Sequence, residues 1–229
     1  MLADTDMARA MSLVPLLLLL TTFILSDAVY TCPPYEEIRQ PSVAPGKFDA
    51  AELEGIWYIT ATNEPTMPAF CRCGVNTYGV HEAAGGGGWY SYTNRDYCVA
   101  GAFKKNITIT IKGNLNKDKD DAGFLMENFA LFNHTVVKPA PNYIFNIERD
   151  ADGTLARVYS YACIGKMPFH KTESFAFYLL ERAASARVAT TAAIGARVAA
   201  ANASTAGLLD FAKLRVDNAT HFNACGMLT

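Results

Sequence analysis

The stretch Asn106-Ile-Thr-Ile-Thr-Ile-Lys112 alternates strictly between isoleucine and polar residues. That period of two places one apolar face on a pleated strand and excludes an amphipathic helix. It is the clearest member of a series. Segments at Gly55–Ala61, Cys71–Glu82, Trp89–Cys98, Phe124–Phe132 (extending irregularly to Val137), Tyr143–Glu148, Leu155–Cys163 and Ser174–Arg182 also read as strands. Glycine-rich Ala83–Gly88 and Asp150-Ala-Asp-Gly153 join neighbours as hairpin turns, and Pro139 and Pro141 end the fifth strand. Eight strands joined consecutively make an all-β, up-and-down antiparallel barrel the expected fold.

Before the first strand, Phe48 to Glu54 reads as a short helical turn that Asp49 can cap. Gly55 then allows a tight entry into the strand, and Trp57, Ile59 and Ala61 share one of its faces. Phe-Asp-x-x-x-x-x-Gly-x-Trp-Tyr, following a Cys-Pro-Pro start, resembles the first signature of the lipocalins. Within them it is most similar to the apolipoprotein D branch and the lipocalin domain of violaxanthin de-epoxidases. Phe177-Tyr-Leu-Leu-Glu-Arg182 resembles the family's closing motif, which implies that the Arg182 guanidinium packs over the Trp57 ring, with Gly55 beside them. The middle motif, usually Thr-Asp-Tyr, is replaced by Ile147-Glu-Arg-Asp150. The resemblance implies an eight-stranded barrel holding a small hydrophobic ligand, with a flanking helix.

Residues 1–28 read as a secretory signal peptide. Arg9 precedes the apolar run Leu13–Leu25, and Ser26-Asp-Ala28 offers small residues for cleavage after Ala28. The run is too short to span a membrane comfortably and contains Pro15. Residues 29–229 then form one domain, with a Pro-rich, aperiodic N-terminal arm at 29–47, the barrel at 48–182, and a helix and tethered tail at 183–229. In the last part, Ala183–Gly207 favours helix, anchored by Val188, Ile194 and Val198. Leu208–Asp217 supplies a turn and a short closing strand.

The six cysteines all lie beyond that leader, an even number that suggests three disulfides in an oxidising compartment. The resemblance implies Cys32–Cys163 and Cys73–Cys225, leaving Cys71 with Cys98. Folding the hairpin about its turn sets Cys98 opposite roughly Cys73, so the partners of Cys71 and Cys73 could be exchanged. Asn106, Asn133, Asn202 and Asn218 head glycosylation sequons. Localisation is expected to be extracellular.

A net charge of −2 with scattered charges gives no basic face for nucleic acid. The glycine run lacks the helix start and lysine of a phosphate cradle. Asn116, Asp118, Asp120 and Glu127 have calcium-loop spacings, but Asp121 stands where glycine is required. Zinc on Cys71, Cys73 and Cys98 is disfavoured in an oxidising compartment, and no metal or cofactor is expected.

Two functional readings remain from different classes. The first is a carrier of a lipid, retinoid, sterol or pigment such as a carotenoid. Alternation puts Tyr178 and Leu180 on the face of Arg182, and resemblance adds Tyr78 and Asn94 to the ligand pocket. The second is a xanthophyll-modifying de-epoxidase, which needs a carboxylic acid as proton donor. The resemblance places that acid at the entry to the second strand, yet Met67–Gly79 contains neither Asp nor Glu. No catalytic residue is assigned, and the carrier reading leads. A secreted protease inhibitor or defence protein on the same fold is a third reading.

Overall fold

The computed structural model describes residues 32–64, 69–84, 87–100, 102–116, 119–128, 130–131, 134–135, 140–166, 173–209, 211 and 213–228. The leader, the Asn133 sequon and part of the loop after the first strand lie outside these residues.

Eight antiparallel strands run in sequence: β1 (Gly55–Thr62), β2 (Cys71–Glu82), β3 (Gly88–Ala100), β4 (Phe103–Leu115), β5 (Phe124–Asn128), β6 (Ala140–Arg149), β7 (Leu155–Lys166) and β8 (Glu173–Glu181). Each pairs with the next, and β8 returns to pair with β1, so the sheet closes on itself. The contact between β4 and β5 is the shortest in the ring, three residue pairs from Lys112↔Asn128 to Asn114↔Met126. The seam runs through Tyr58↔Glu181, Ile59↔Leu180, Ala61↔Leu179 and Thr62↔Tyr178, with a bulge between Ile59 and Ala61. A two-residue strand, β9 (Arg215–Val216), pairs with Ala61 and Thr62 beyond the point where β1 and β2 part.

Several strands run beyond the sequence reading, β4 by three residues at each end and β7 by three at its end, and two further ends differ for a visible reason. β5 stops at Asn128, short of the expected Phe132, because Ala130–Leu131 instead pair locally with His134–Thr135. β6 starts at Ala140 and includes Pro141 opposite Met126, a proline tolerated near the first residue of a strand.

The flanking segments also need correction. The arm expected to be aperiodic contains a single helical turn, α1 (Tyr35–Ile38), whose Tyr35 and Ile38 are buried; the Tyr35 hydroxyl donates to the Ile144 carbonyl at 2.9 Å. The turn before β1 is a 3-10 helix, Ala50–Leu53, closed by reciprocal bonds of Asp49 and Glu52.

After β8 come a short turn, α2 (Ala183–Ala186), and the flanking helix α3 (Thr191–Ser204), capped by the Thr190 hydroxyl. Ile194, Val198 and Ala201 bury one stripe of α3 on the barrel, whereas Val188 lies outside the helix and is 75% exposed rather than an anchor. Buried Glu181 fixes α3 from the barrel side, accepting Arg197 at 3.0 Å and lying 3.5 Å from Arg157. The tail carries a further short helix, α4 (Ala219–Ala224), whose Phe222 packs on Tyr58.

All six cysteines are bridged, as Cys32–Cys163, Cys71–Cys98 and Cys73–Cys225. Simple counting along the β2–β3 hairpin misassigns Cys98 for two reasons: the turn closes one residue tighter, with Glu82 opposite Gly88, and a β2 bulge shifts the register by one between Arg72 and Val75, which together set Cys71 opposite Cys98. Cys73 occupies the bulge with φ +59°, and the Asp217 carboxylate accepts from its N–H at 2.9 Å. A digest of unreduced protein is therefore expected to yield these three cross-linked peptide pairs and no alkylated cysteine. A Cys71–Cys225 peptide would refute the bulged register.

Candidate ligand site

Inward and outward residues follow from the register, since residues directly opposite in antiparallel strands share a face. At the closed end, Trp57, Leu180, Val158, Leu155, Leu53 and Ile144 are all at most 3% exposed and form a packed floor. The Trp57 indole donates to the Leu53 carbonyl at 2.6 Å, and the Arg182 guanidinium carbon lies 3.9 Å from the ring centroid. Arg182 also donates to the Glu52 and Glu54 carbonyls, both at 2.8 Å. Gly55, at φ +103°, is needed here, because a Cβ would lie 2.8 Å from an Arg182 nitrogen.

Above the floor the lining changes character. Tyr78 and Tyr92 stack with centroids 4.7 Å apart, and Tyr90 lies parallel to Tyr92 at 6.4 Å. Gly113 lets the Tyr90 ring lie across β4, since a Cβ there would come within 2.4 Å of it. Ile111 and Ile109, opposite Tyr92 and Asn94, remain partly exposed, as do Val80, Tyr178 and Glu127. Inward-facing side chains that keep accessible surface above a sealed floor define an open cup.

The cup has a polar belt. Glu127, opposite Gly113, accepts from the Tyr90 hydroxyl at 3.2 Å and the Asn142 amide at 2.6 Å. Ser160 donates to Asn142 at 2.7 Å, and Asn94 donates to Asn76 at 2.9 Å. Burial raises the Glu127 pKa, and hydrogen bonding, first from Asn142 and then from Tyr90, opposes that shift. Burial and then the charge of Glu127 push Tyr78, Tyr90 and Tyr92 upward; for Tyr178, burial comes first and Glu64 next. Nearer the mouth, burial raises Asp96 to about 7 against the pull of Arg215, while Glu64 and Asp217 add to the rise. Asp96 is 4% exposed and its Oδ1 has no hydrogen-bond partner.

Of the pocket residues expected from sequence, Tyr178, Tyr78 and Asn94 all line this interior, and Leu180 sits in its floor. Glu127, Tyr90, Tyr92, Asn142, Ser160, Asn76 and Asp96 escaped the sequence reading. Alternation about Asn94 could have found Tyr90, Tyr92 and Asp96. Glu127, met only as a calcium-loop position, needed the register of β5. Interior carboxylates thus come from β3 and β5, so the lack of an acid in Met67–Gly79 does not leave the cup without one.

Elsewhere, a cleft of about 360 Å³ opens outside the closed end, but its Arg149 and Glu52 already pair with each other at 2.5 Å. Among the described residues no cluster of histidine, cysteine and carboxylate side chains is disposed to hold a metal, and no helix is long and apolar enough to cross a membrane. The cysteines of the zinc reading are all in disulfides. Of the described sequons, Asn106 and Asn202 are exposed, while Asn218 caps α4 and donates to Thr191 at 2.9 Å.

No protein-family model matches the sequence, nor does any curated protein match it in sequence. Solved structures with a similar fold include apocrustacyanin C2 (16% identity, 85% of this chain and 92% of that one, TM-score 0.49). Insecticyanin from the tobacco hornworm Manduca sexta is 14% identical over 82% of this chain and 86% of its own, with TM-score 0.49. Japanin from Rhipicephalus appendiculatus, solved bound to cholesterol, is 7% identical over 65% and 88%, with TM-score 0.42.

Proposed function

We propose that this chain, whose closed barrel has the lipocalin fold, is a lipocalin that carries a small, largely apolar ligand in its cup. The observation behind this reading is the contrast between a sealed floor and inward-facing side chains that stay accessible above it. A barrel of eight strands is wide enough for one small ligand when its side chains do not meet at the centre. Tyr78, Tyr92 and Tyr178 supply broad apolar faces with polar tips, suited to a hydrocarbon body bearing one polar end.

The carrier reading is preferred to catalysis on the placement of the acids. The segment entering β2, where the de-epoxidase resemblance calls for the proton-donating acid, has neither Asp nor Glu between Met67 and Gly79, and Glu127 sits instead on β5 among hydrogen-bonding neighbours. Secretion belongs to the same reading, supported by the leader and by three disulfides that suit an oxidising compartment. Exposed Asn106 and Asn202 would then be the favoured glycan acceptors.

Titration of the purified protein with the neutral fluorophore N-phenyl-1-naphthylamine, or with retinol, tests carriage. The expected result is saturable fluorescence enhancement, with affinity reduced about tenfold in Tyr178→Ala, equivalent to about 1.4 kcal/mol. No enhancement with the unaltered protein would remove the carrier reading. Equal affinities would remove Tyr178 from the site.

A further inference from the structure

The polar belt has a sign. Glu127 lies within the barrel, and the charge acting on it is that of another acid, Glu64. Tyr90 and Asn142 satisfy part of its hydrogen-bonding capacity, and both donate to the same oxygen, Oε1. An ionised carboxylate offers about four acceptor sites, so these two donors leave capacity for a further one. Hydroxyl and amide donors relieve desolvation, but they bring no full positive charge.

A second observation points the same way. Asp96 stands on the same face of β3 as Tyr90, Tyr92 and Asn94, is 4% exposed, and keeps Oδ1 without a partner. Two acids, Glu127 and Asp96, thus face this interior, and Arg215 acts on Asp96 from the mouth. The aromatic lining agrees with those acids, because ring faces attract a cation within about 6 Å of their centroids. Tyr78 and Tyr92 stack on one another beside the belt, which leaves each at most one face for a cation, and Tyr178 packs against the same cluster from β8.

We propose that the ligand of this cup is a protonated amine on an apolar, ring-sized body, with Glu127 as its counter-ion and the tyrosine faces flanking its charge. The inference rests on the carrier reading and narrows it. An ammonium supplies a further donor to Glu127 and a full positive charge, which neither Tyr90 nor Asn142 carries. Carboxylate ligands such as fatty acids would meet a site of their own sign.

Calorimetric titration at pH 7.5 with three compounds sharing one ring system decides the matter: tryptamine, neutral 3-ethylindole and anionic indole-3-propionate. The unaltered protein is expected to bind tryptamine at least tenfold more tightly than 3-ethylindole, and indole-3-propionate at least tenfold more weakly than the neutral compound. Glu127→Gln keeps the shape but removes the charge, so the preference for tryptamine over 3-ethylindole should shrink at least tenfold. Near-ultraviolet circular dichroism confirms that the variant is folded, and the wild-type ranking stands as a test without any variant. Equal affinities for the three compounds, or a preference for the acid, would overturn the amine assignment while leaving carriage intact if the neutral fluorophore binds. Binding of neither the fluorophore nor any indole would overturn both.

Discussion

Trp57→Ala is expected to lower the stability of the folded protein by about 3–5 kcal/mol, the usual range for deleting a buried aromatic side chain. Trp57 is fully buried, and three things are lost together. The floor acquires a cavity, the Leu53 carbonyl loses its donor at 2.6 Å, and the Arg182 guanidinium loses the ring beneath it at 3.9 Å. For a domain of this size that corresponds to a fall in Tm of roughly 6–20 °C. Differential scanning calorimetry at neutral pH reads it directly. A Tm within a degree of the unaltered protein would show that the floor is not built on this contact.

Asp96→Asn should act in the opposite direction, and only over part of the pH scale. Burial holds the Asp96 pKa at about 7, against 3.8 for an ordinary aspartate. A raised carboxylate pKa means that the folded state binds the proton more tightly than the unfolded chain does. The associated stability is fully present below about pH 4, declines as the unfolded chain ionises, and is lost once the pH has passed the folded value near 7. The difference of about three pKa units corresponds to about 4 kcal/mol between pH 4 and pH 8. Asparagine cannot ionise, so the variant's stability should lack this decline, and its advantage over the unaltered protein should grow between those limits. Urea unfolding at each half pH unit gives the difference curve. Parallel curves for the two proteins would mean that Asp96 is solvated in the folded state.

Much of the fold was legible because its signals are local. Isoleucine alternation at 107–111, the Asp-Gly turn at 152–153 and the Gly55–Trp57–Arg182 set each state their own geometry over short spans, and each lies as the sequence implied. What failed were features decided by partners far away in sequence. The β2 bulge at Cys73, whose N–H donates to the Asp217 carboxylate 144 positions later, makes the last one-residue shift that brings Cys71 opposite Cys98. The site divides in the same way. Tyr178 could be placed by counting back from Arg182 along one strand. Glu127 lies on a short strand held by three pairings to β4, beside charged residues that read as an exposed turn. Its inward direction appears only once Gly113 stands opposite it and the Tyr90 ring fills the space that glycine leaves.

The disulfides have a consequence for connectivity. Cys32–Cys163 and Cys73–Cys225 are interleaved, each enclosing one end of the other's loop. Together their spans cover every peptide bond from Cys32 to Cys225. A single backbone cleavage anywhere in that interval therefore leaves one covalent molecule, with both new ends still tied to the barrel. Exposed hairpins and the stretch between α3 and β9 can each be nicked without shedding a fragment, so the cup has no single peptide bond on which its covalent integrity depends.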